Sequence, residues 1–332
     1  MKPKSEDRDQ NVKVLQLLAG DGFRSGEQIA KQLGISRAAV WKRIEKLRAS
    51  GVQVEMFPGK GYRVVSPIEL LDESVISKAL PTEIRRRVSS VEVLSSVEST
   101  SELMLDRLRS GAQIHAAFVF AEQQTKGRGR RGRHWISPFG RNIYVSFGWQ
   151  FDNGISELAG LSLVMGVAVA RALRQIGVLG VRLKWPNDLM INNAKLGGIL
   201  IDIDGDCGGQ ILTVVGIGIN FSMPPEFGQE IDQAWTDVIA NCSVDASRNV
   251  FAAQLIESCV AALEEFRRNR FSHFRAEWDE CDALRGENVE VIYANGLLQG
   301  VACGVDDDGA LLLKKGDRVS PVSAGEVSVR RR

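Results

Sequence analysis

Between Ser25 and Ala49 the apolar residues Ile29, Leu33, Ile35, Val40, Ile44 and Leu47 recur at the spacing of a helix face. That pattern predicts two short helices, near 26–33 and 36–49, that share one core. Gly34 interrupts them, and Ser36 is placed to cap the second. Past Ala49 the period falls to two: Val52 and Val54 alternate, Gly59 and Gly61 bracket a turn, and Tyr62 and Val64 return. Two helices around a tight turn, followed by a hairpin, make a winged helix-turn-helix, whose second helix enters the major groove of DNA. On that helix, Ser36, Arg37, Ala38, Lys42, Arg43 and Lys46 suit phosphates and base edges. The alternative is a helical hairpin with a solvated basic face.

Beyond Pro67 a polar, helical stretch to about Arg87 joins this head to the next domain. The strand-like run VEVLSSV leads to Glu98-Ser99-Thr100-Ser101 and a helix over 101–109, for which capping alone would explain the hydroxyls. A longer helix is expected over 155–176, with Leu158, Leu161, Met165, Ala168 and Ala172 on one face. The segment VRLKWPNDLMINNAKLGGILIDI reads as two strands joined near Asn192-Asn193, and ILTVVGIGINFSM as a third. A mixed or antiparallel sheet with helices on one side follows. After Asn288, short apolar runs separated by Asn295-Gly296, Asp306 to Gly309 and Gly316-Asp317 predict a small SH3-like β-barrel. The chain divides into 1–66, 67–283 and 284–332, within the two or three domains expected of a length of 332 residues.

Composition changes this picture little: 44% hydrophobic and 25% charged residues describe a globular protein. The hydrophilic start lacks the apolar core of a signal peptide, and no run reaches the roughly eighteen apolar residues of a membrane span, so a cytoplasmic location and no membrane partner are expected. Cys207, Cys242, Cys259, Cys281 and Cys303 form no C-x-x-C pair and read as reduced structural thiols. His115, His134 and His273 lack the flanking motifs of a catalytic triad or a metal site. Charge changes it more. Residues 1–65 hold 13 Lys+Arg against 7 Asp+Glu, leaving 29 against 34 for the rest, so a basic head sits on an acidic body. Such a head favours a polyanionic partner.

The candidate chemistry is concentrated in Gln123 to Trp135. Five cationic side chains fall between Lys126 and Arg133, interleaved with three glycines. This tract should repel itself and stay mobile without an anion, and its arginine forks suit phosphate and carboxylate groups. Polar residues also interrupt the apolar strands: Lys184, Lys195 and Asn220, with Asn187 and Asp188 at the Trp185-Pro186 bend. Lys195 abuts Leu196-Gly197-Gly198, where missing side chains leave room for a ligand.

The segments GRGRRGR, KWPNDL, KLGGIL and GIGIN, in that order behind a helix-turn-helix with a GKGY wing, resemble the bacterial bifunctional biotin protein ligases that also repress the biotin operon. The resemblance covers nearly the whole chain. It implies an α+β multidomain protein: the winged head, a central class II synthetase-like α/β ligase domain, and the SH3-like C-terminal barrel. It implies that Ser99, Thr100 and Gln124 hold the biotin ureido ring. Arg128, Gly129 and Arg130 would close over the carboxylate and the adenylate phosphate, and Lys195 would bind the carboxylate oxygens. Lys195, Arg128 and Arg130 would then be the catalytic groups. Arg133, Asn187, Asp188, Asn220 and Trp235 would serve ATP, Asp188 its magnesium, and Trp235 the adenine. Ser101 stands where the family commonly has asparagine, so one ureido hydrogen bond differs. The implied partners are the biotin carboxyl carrier protein of acetyl-CoA carboxylase, operator DNA, and a second copy of the chain once biotinyl-adenylate is bound. A lipoate or octanoate ligase, and a biotin sensor without catalysis, are the competing readings; the basic loop argues against the first, and that loop with Lys195 against the second.

Overall fold

The computed structural model describes residues 4–18, 22–65, 68–152, 154–204, 210–293, 296–324 and 327–331. Cys207, Asn295 and the expected domain boundary at 66/67 lie outside them.

The head contains α1 (Lys4–Leu18), α2 (Gly26–Leu33), α3 (Arg37–Ala49) and the hairpin of β1 (Val54–Phe57) with β2 (Gly61–Val64). Local sequence sets its corners. Ser25 and Gln28 form a capping box on α2, Gly34 takes the left-handed conformation (φ 63°) that ends it, and Ser36 caps α3 through the Ala39 N–H. The helix α1 was not expected from its polar start; its last turns bury Val14, Leu15 and Leu18 against Ile29, Val40, Ile44 and Leu47.

The segment from Ile68 to Asp72 is clamped rather than loose. Glu122 Oε1 accepts the Leu71 N–H at 2.5 Å, and its Oε2 accepts from Arg248 Nη2 at 2.8 Å. Both side chains are almost wholly buried, so removing either partner would strand a charge in the interior. Short helices follow, α4 (Glu73–Ala79) and α5 (Thr82–Arg85), in place of one continuous helical stretch.

The central sheet is built from β3 (Ser90–Leu94), β4 (Ala117–Ala121), β5 (Ile143–Phe151), β6 (Arg182–Lys184), β7 (Asp188–Ile191), β8 (Ala194–Asp204) and β9 (Ile211–Ile219). Its order is β3-β4-β5-β9-β8-β7-β6, with β3 and β4 parallel and the rest antiparallel. The helices of this domain are α6 (Thr100–Arg109), α7 (Leu161–Gln175), α8 (Pro225–Gly228), α9 (Val238–Asn241), α10 (Arg248–Asn269) and α11 (Arg275–Cys281).

Three expectations change here. Helices cover both faces: Phe118 and Phe120 of β4 join the large core with α7 and α10, whereas Ala117 and Val119 meet Met104 and Leu105 of α6. A strand that is apolar at every position is buried on both sides. The segment 181–204 contains three strands, because the turn at Trp185-Pro186 splits the first; Asn192 and Asn193, both at positive φ, turn the next pair. The helix expected over 155–176 begins at Leu161, since Gly160 adopts φ 75° after a short 3-10 turn.

The C-terminal domain is an antiparallel five-stranded sheet of β10 (Asn288–Tyr293), β11 (Gly296–Val305), β12 (Leu311–Lys315), β13 (Arg318–Val322) and β14 (Ser328–Arg331), ordered β13-β12-β11-β10-β14. Trp185 Nε1 donates to the Gly309 carbonyl at 3.0 Å and ties this domain to the central sheet. Among the described residues no helix is long and apolar enough to cross a membrane. Cys242, Cys259, Cys281 and Cys303 are unpaired, and burial pushes the Cys259 thiol up to about 12.

Candidate active site and DNA-binding head

The α6 face of the sheet carries small residues where the opposite face carries large ones. On β9, Gly216 and Gly218 alternate with the core residues Val215, Ile217 and Ile219; on β8, Gly198 and Leu200 face the same way as Gly218 and Gly216, with which they pair. The backbone thus forms the floor of a 310 Å³ cavity, within the range of small-molecule sites. Gly218 is required by its neighbour, since an added Cβ would lie 2.7 Å from the Trp135 ring.

One wall is the first turn of α6. Ser99 caps the helix through the Glu102 N–H, Thr100 donates its backbone N–H to Gln124 Oε1 at 2.8 Å, and the hydroxyls of Thr100 and Ser101 lie 2.7 and 3.0 Å from Ser146 Oγ. Capping explains Ser99; it does not explain a cluster of three hydroxyls and an amide at a cavity wall. The opposite wall carries charge. Lys195 Nζ pairs with Asp188 Oδ1 at 2.7 Å and lies 5.5 Å from the centroid of the Trp135 ring. Behind this wall Lys184, opposite Asp188 across β6 and β7, has its pKa lowered by burial, with Asp188 opposing and Lys195 among the cations that add to the lowering.

The basic loop forms the rim, and three of its five cations, Lys126, Arg128 and Arg130, have partners inside the chain. Lys126 pairs with Glu98 at 3.0 Å, Arg128 with Glu102 at 2.5 Å and Asp202 at 3.3 Å. Arg130 donates to Asn187 Oδ1 at 3.0 Å and to the Val327 carbonyl of the C-terminal domain at 3.4 Å. The expectation that the tract lacks an anion until a ligand arrives is therefore corrected: carboxylates remote in sequence supply several.

Every residue assigned above to biotin or ATP lines this one cavity: Ser99, Thr100, Ser101 and Gln124; Arg128, Gly129, Arg130 and Arg133; Asn187, Asp188, Lys195, Asn220 and Trp235. Two of them use their polar groups on the protein itself. Asn220 donates to the Lys195 and Thr236 carbonyls and so holds the end of the segment 228–236 against the Lys195 strand, whereas Trp235 Nε1 donates to the Gly228 carbonyl and closes that segment on itself. Sequence reasoning gave no role to Trp135, whose buried indole nitrogen has no partner among the described residues, and missed the lining from Glu230 to Gln233. Trp135 ends the basic tract and could have been found there; residues 230–233 carry no pattern.

On the head, Ser36, Arg37, Ala38, Lys42 and Lys46 are exposed on α3. Arg43 is half-buried and donates to Asn11 of α1. Trp41, 53% exposed on the same helix, was not anticipated.

Residues 93–222 match the biotin/lipoate A/B protein ligase family, 11–63 an HTH domain, and 285–330 the biotin protein ligase C-terminal domain. The chain is 39% identical over 319 residues to the bifunctional ligase/repressor BirA of Escherichia coli, covering 96% of this chain and 97% of that protein. It belongs to the bifunctional biotin ligase/repressor family. The BirA of Bacillus subtilis is 31% identical, with 94% of this chain and 95% of that protein covered. Among solved structures, the biotin protein ligase of Aquifex aeolicus in complex with biotin and ATP superposes with a TM-score of 0.62 at 28% identity, covering 74% of this chain and all of that one. The family's fold, a helix-turn-helix head, a ligase sheet and a C-terminal β domain, is the one described above.

Proposed function

We propose that this protein activates biotin with ATP to biotinyl-5'-adenylate, transfers the biotinyl group to a lysine of the biotin carboxyl carrier protein of acetyl-CoA carboxylase, and represses the biotin operon. The observation that carries this reading is the convergence, in one cavity, of a hydroxyl and amide cluster with Lys195, Arg128 and Arg130. A ureido ring needs paired donors and acceptors in a confined slot, which Ser99, Thr100, Ser101 and Gln124 supply. Attack of a carboxylate on the α-phosphate of ATP brings two anions together, and cations placed where charge moves lower that barrier. Lys195, with only 13% of its side chain exposed, takes the biotin carboxylate, and Arg128 and Arg130 the adenylate phosphate. No side chain acts as nucleophile. In the second step the acceptor amine attacks the mixed anhydride and AMP leaves.

ATP lies toward Arg133, Asn187, Asp188, Asn220 and Trp235. Asp188, which lines the cavity beside Asn187, would be the protein ligand of a magnesium carried on the ATP phosphates. Bound there, magnesium would neutralise phosphate charge.

Operator DNA meets α3 and the wing. A homodimer formed when biotinyl-adenylate is bound would set two heads on a two-fold axis and join the two activities. Residues 284–332 form the C-terminal domain in this reading.

Pyrophosphate release with biotin and with lipoate tests the enzyme. Release with lipoate alone would assign another acyl substrate, and none with either would leave a sensor. Operator affinity at fixed salt, with and without biotin plus ATP, tests the switch while sedimentation follows assembly. A rise of about 5 to 150-fold is expected for such coupling, and equal affinity would leave a ligase that merely carries a DNA-binding head.

A further inference from the structure

We propose that Glu122 and Arg248 are positioning residues of this ligase: from behind the cavity, their ion pair holds the two stretches of chain that carry Gln124 and Ser146, and it anchors the linker from the head at the same point. Neither side chain lines the cavity. Only 4% of Arg248 and 3% of Glu122 is exposed, and a charge pair buried so deeply adds little net stability once desolvation is counted. What it does supply is fixed geometry. Arg248 Nη1 donates to the Glu69 carbonyl at 2.5 Å, and Nη2 donates to Glu122 Oε2 at 2.8 Å and to the Asn142 carbonyl at 2.7 Å. Glu122 turns its other oxygen to the linker and accepts the Leu71 N–H at 2.5 Å. One planar guanidinium with five donors can serve three segments remote in sequence, which an ammonium does less well.

Two of those segments run directly into the hydroxyl and amide wall. Glu122 follows the last residue of β4 and stands two residues before Gln124, whose Oε1 accepts the Thr100 N–H. A backbone N–H can only donate, so this bond fixes which end of the Gln124 amide faces α6. Asn142 immediately precedes β5, and four residues on lies Ser146, whose hydroxyl is 2.7 Å from Thr100 Oγ1 and 3.0 Å from Ser101 Oγ. Arg248 therefore braces both strands that the first turn of α6 leans on. Glutamine at position 122 would offer a single acceptor where two donors, the Leu71 N–H and the Arg248 guanidinium, converge, and its own amide N–H groups would face one of them. The residue must shift, and the chain leading to Gln124 shifts with it. Lys195 and Asp188, on β8 and β7, receive no hydrogen bond from the pair, so the wall is affected first.

That the wall takes biotin rests on the function proposed above; that the pair positions the wall does not, and the experiment separates the two. Hydrogen exchange at the Thr100 amide, in the ligand-free full-length protein, reports the bond to Gln124 directly. In Glu122→Gln this amide should exchange about tenfold faster, the size of one lost hydrogen bond. Biotin should bind about tenfold more weakly in titrations, while in pyrophosphate release the KM for ATP and kcat at saturation stay within about threefold of wild type. The single variant also leaves the Arg248 charge unpaired and lowers the melting temperature. Glu122→Gln combined with Arg248→Met removes both charges, so melting should return toward wild type while Thr100 exchange and biotin affinity stay altered. Wild-type protection of Thr100 or wild-type biotin affinity in the double variant would overturn the proposal, as would equal losses for biotin and ATP, which is general loosening. Should Glu122→Gln not fold, the double variant decides alone. Failure of the wild type to bind biotin would refute the ligase reading, and amide exchange would still decide the positioning.

Discussion

Phe139, four residues past the Trp135 that closes the basic loop, donates its backbone N–H to the carbonyl of Ser50 at 3.2 Å and buries its ring in the core of the head. The ligase thereby completes the hydrophobic core of the DNA-binding domain. A second contact lies beside it: Gln53 donates to Glu226 of α8 at 2.9 Å, and Gly51 sits where an added Cβ would meet the Phe227 ring at 2.3 Å. Gly228, the next residue, holds Trp235. Segments on both sides of the cavity therefore lean on the head.

Phe139→Ala should destabilise the head by about 3 to 5 kcal/mol, the usual cost of removing a core phenylalanine ring. An earlier melting transition, weaker operator binding and a raised KM for biotin are expected together. Calorimetry and pyrophosphate kinetics on one preparation check this; an unchanged melting profile would remove the ring from the core.

Replacing Lys195 by alanine should reduce adenylate formation by about 3 to 4 kcal/mol in transition-state terms, by analogy with an oxyanion-hole donor. The fold should survive, because its partner Asp188 is 19% exposed and reachable by water. Single-turnover pyrophosphate release measures the effect, and near-normal turnover would take Lys195 out of the chemistry.

Gly218→Ala tests the cavity floor. The new methyl would fall 2.7 Å from Trp135 Cε2, so the ring must move off the sheet. A displacement of that order costs up to about 100-fold in rate when reacting groups are misplaced. Unaltered kinetics would mean that Trp135 is free to shift without consequence.

On α3, Lys42→Ala should weaken binding to operator and to unrelated DNA alike and lower the salt slope by about one. Trp41→Ala should instead lose preference for operator over unrelated DNA, because an exposed apolar ring reads base methyls rather than phosphates. Titrations at several salt concentrations distinguish these outcomes, and equal loss on both DNAs for Trp41→Ala would make it a packing residue.

Glu69 supplies a dependence on pH. Burial would raise its carboxyl, but hydrogen bonds from Ser247, Asn249 and the backbone N–H groups of Arg248 and Asn249 outweigh that and hold its pKa below 4.5. A depressed carboxylate stabilises the fold above its ordinary pKa, and that contribution fades as pH falls through the folded value. The stability difference between wild type and Glu69→Gln in urea should be present at neutral pH and shrink in acid below about 4.5. A difference constant with pH would show that ionisation of Glu69 contributes nothing.

Local signals carried the head: Gly34 and Ser36 mark its turn within a few residues, and the structure places the helix boundaries where they indicate. The same economy hid α1, whose three core residues follow ten mostly polar positions. In the ligase domain, apolar runs announced strands but not their breaks, and two-faced burial of β4 could not be distinguished from one-faced burial by counting apolar residues. The residues of the candidate site were legible because they cluster in short motifs. The contacts of Glu102, Asp202 and Phe139 were not, because each partner lies more than 25 residues away along the chain, and no local pattern encodes such a meeting.

The glycine floor limits how this pocket can be altered. At Gly198, Gly216 and Gly218 the sheet presents its backbone, and any other residue there can only subtract space. Ser101 Oγ lies 2.5 Å from where a Cβ on Gly216 would stand. Variants that accept a bulkier acyl group must therefore come from the first turn of α6 or from the rim, whereas changes to the floor would yield a smaller, more exclusive site. Selection for a new substrate should accumulate its substitutions on the walls and leave the three glycines in place.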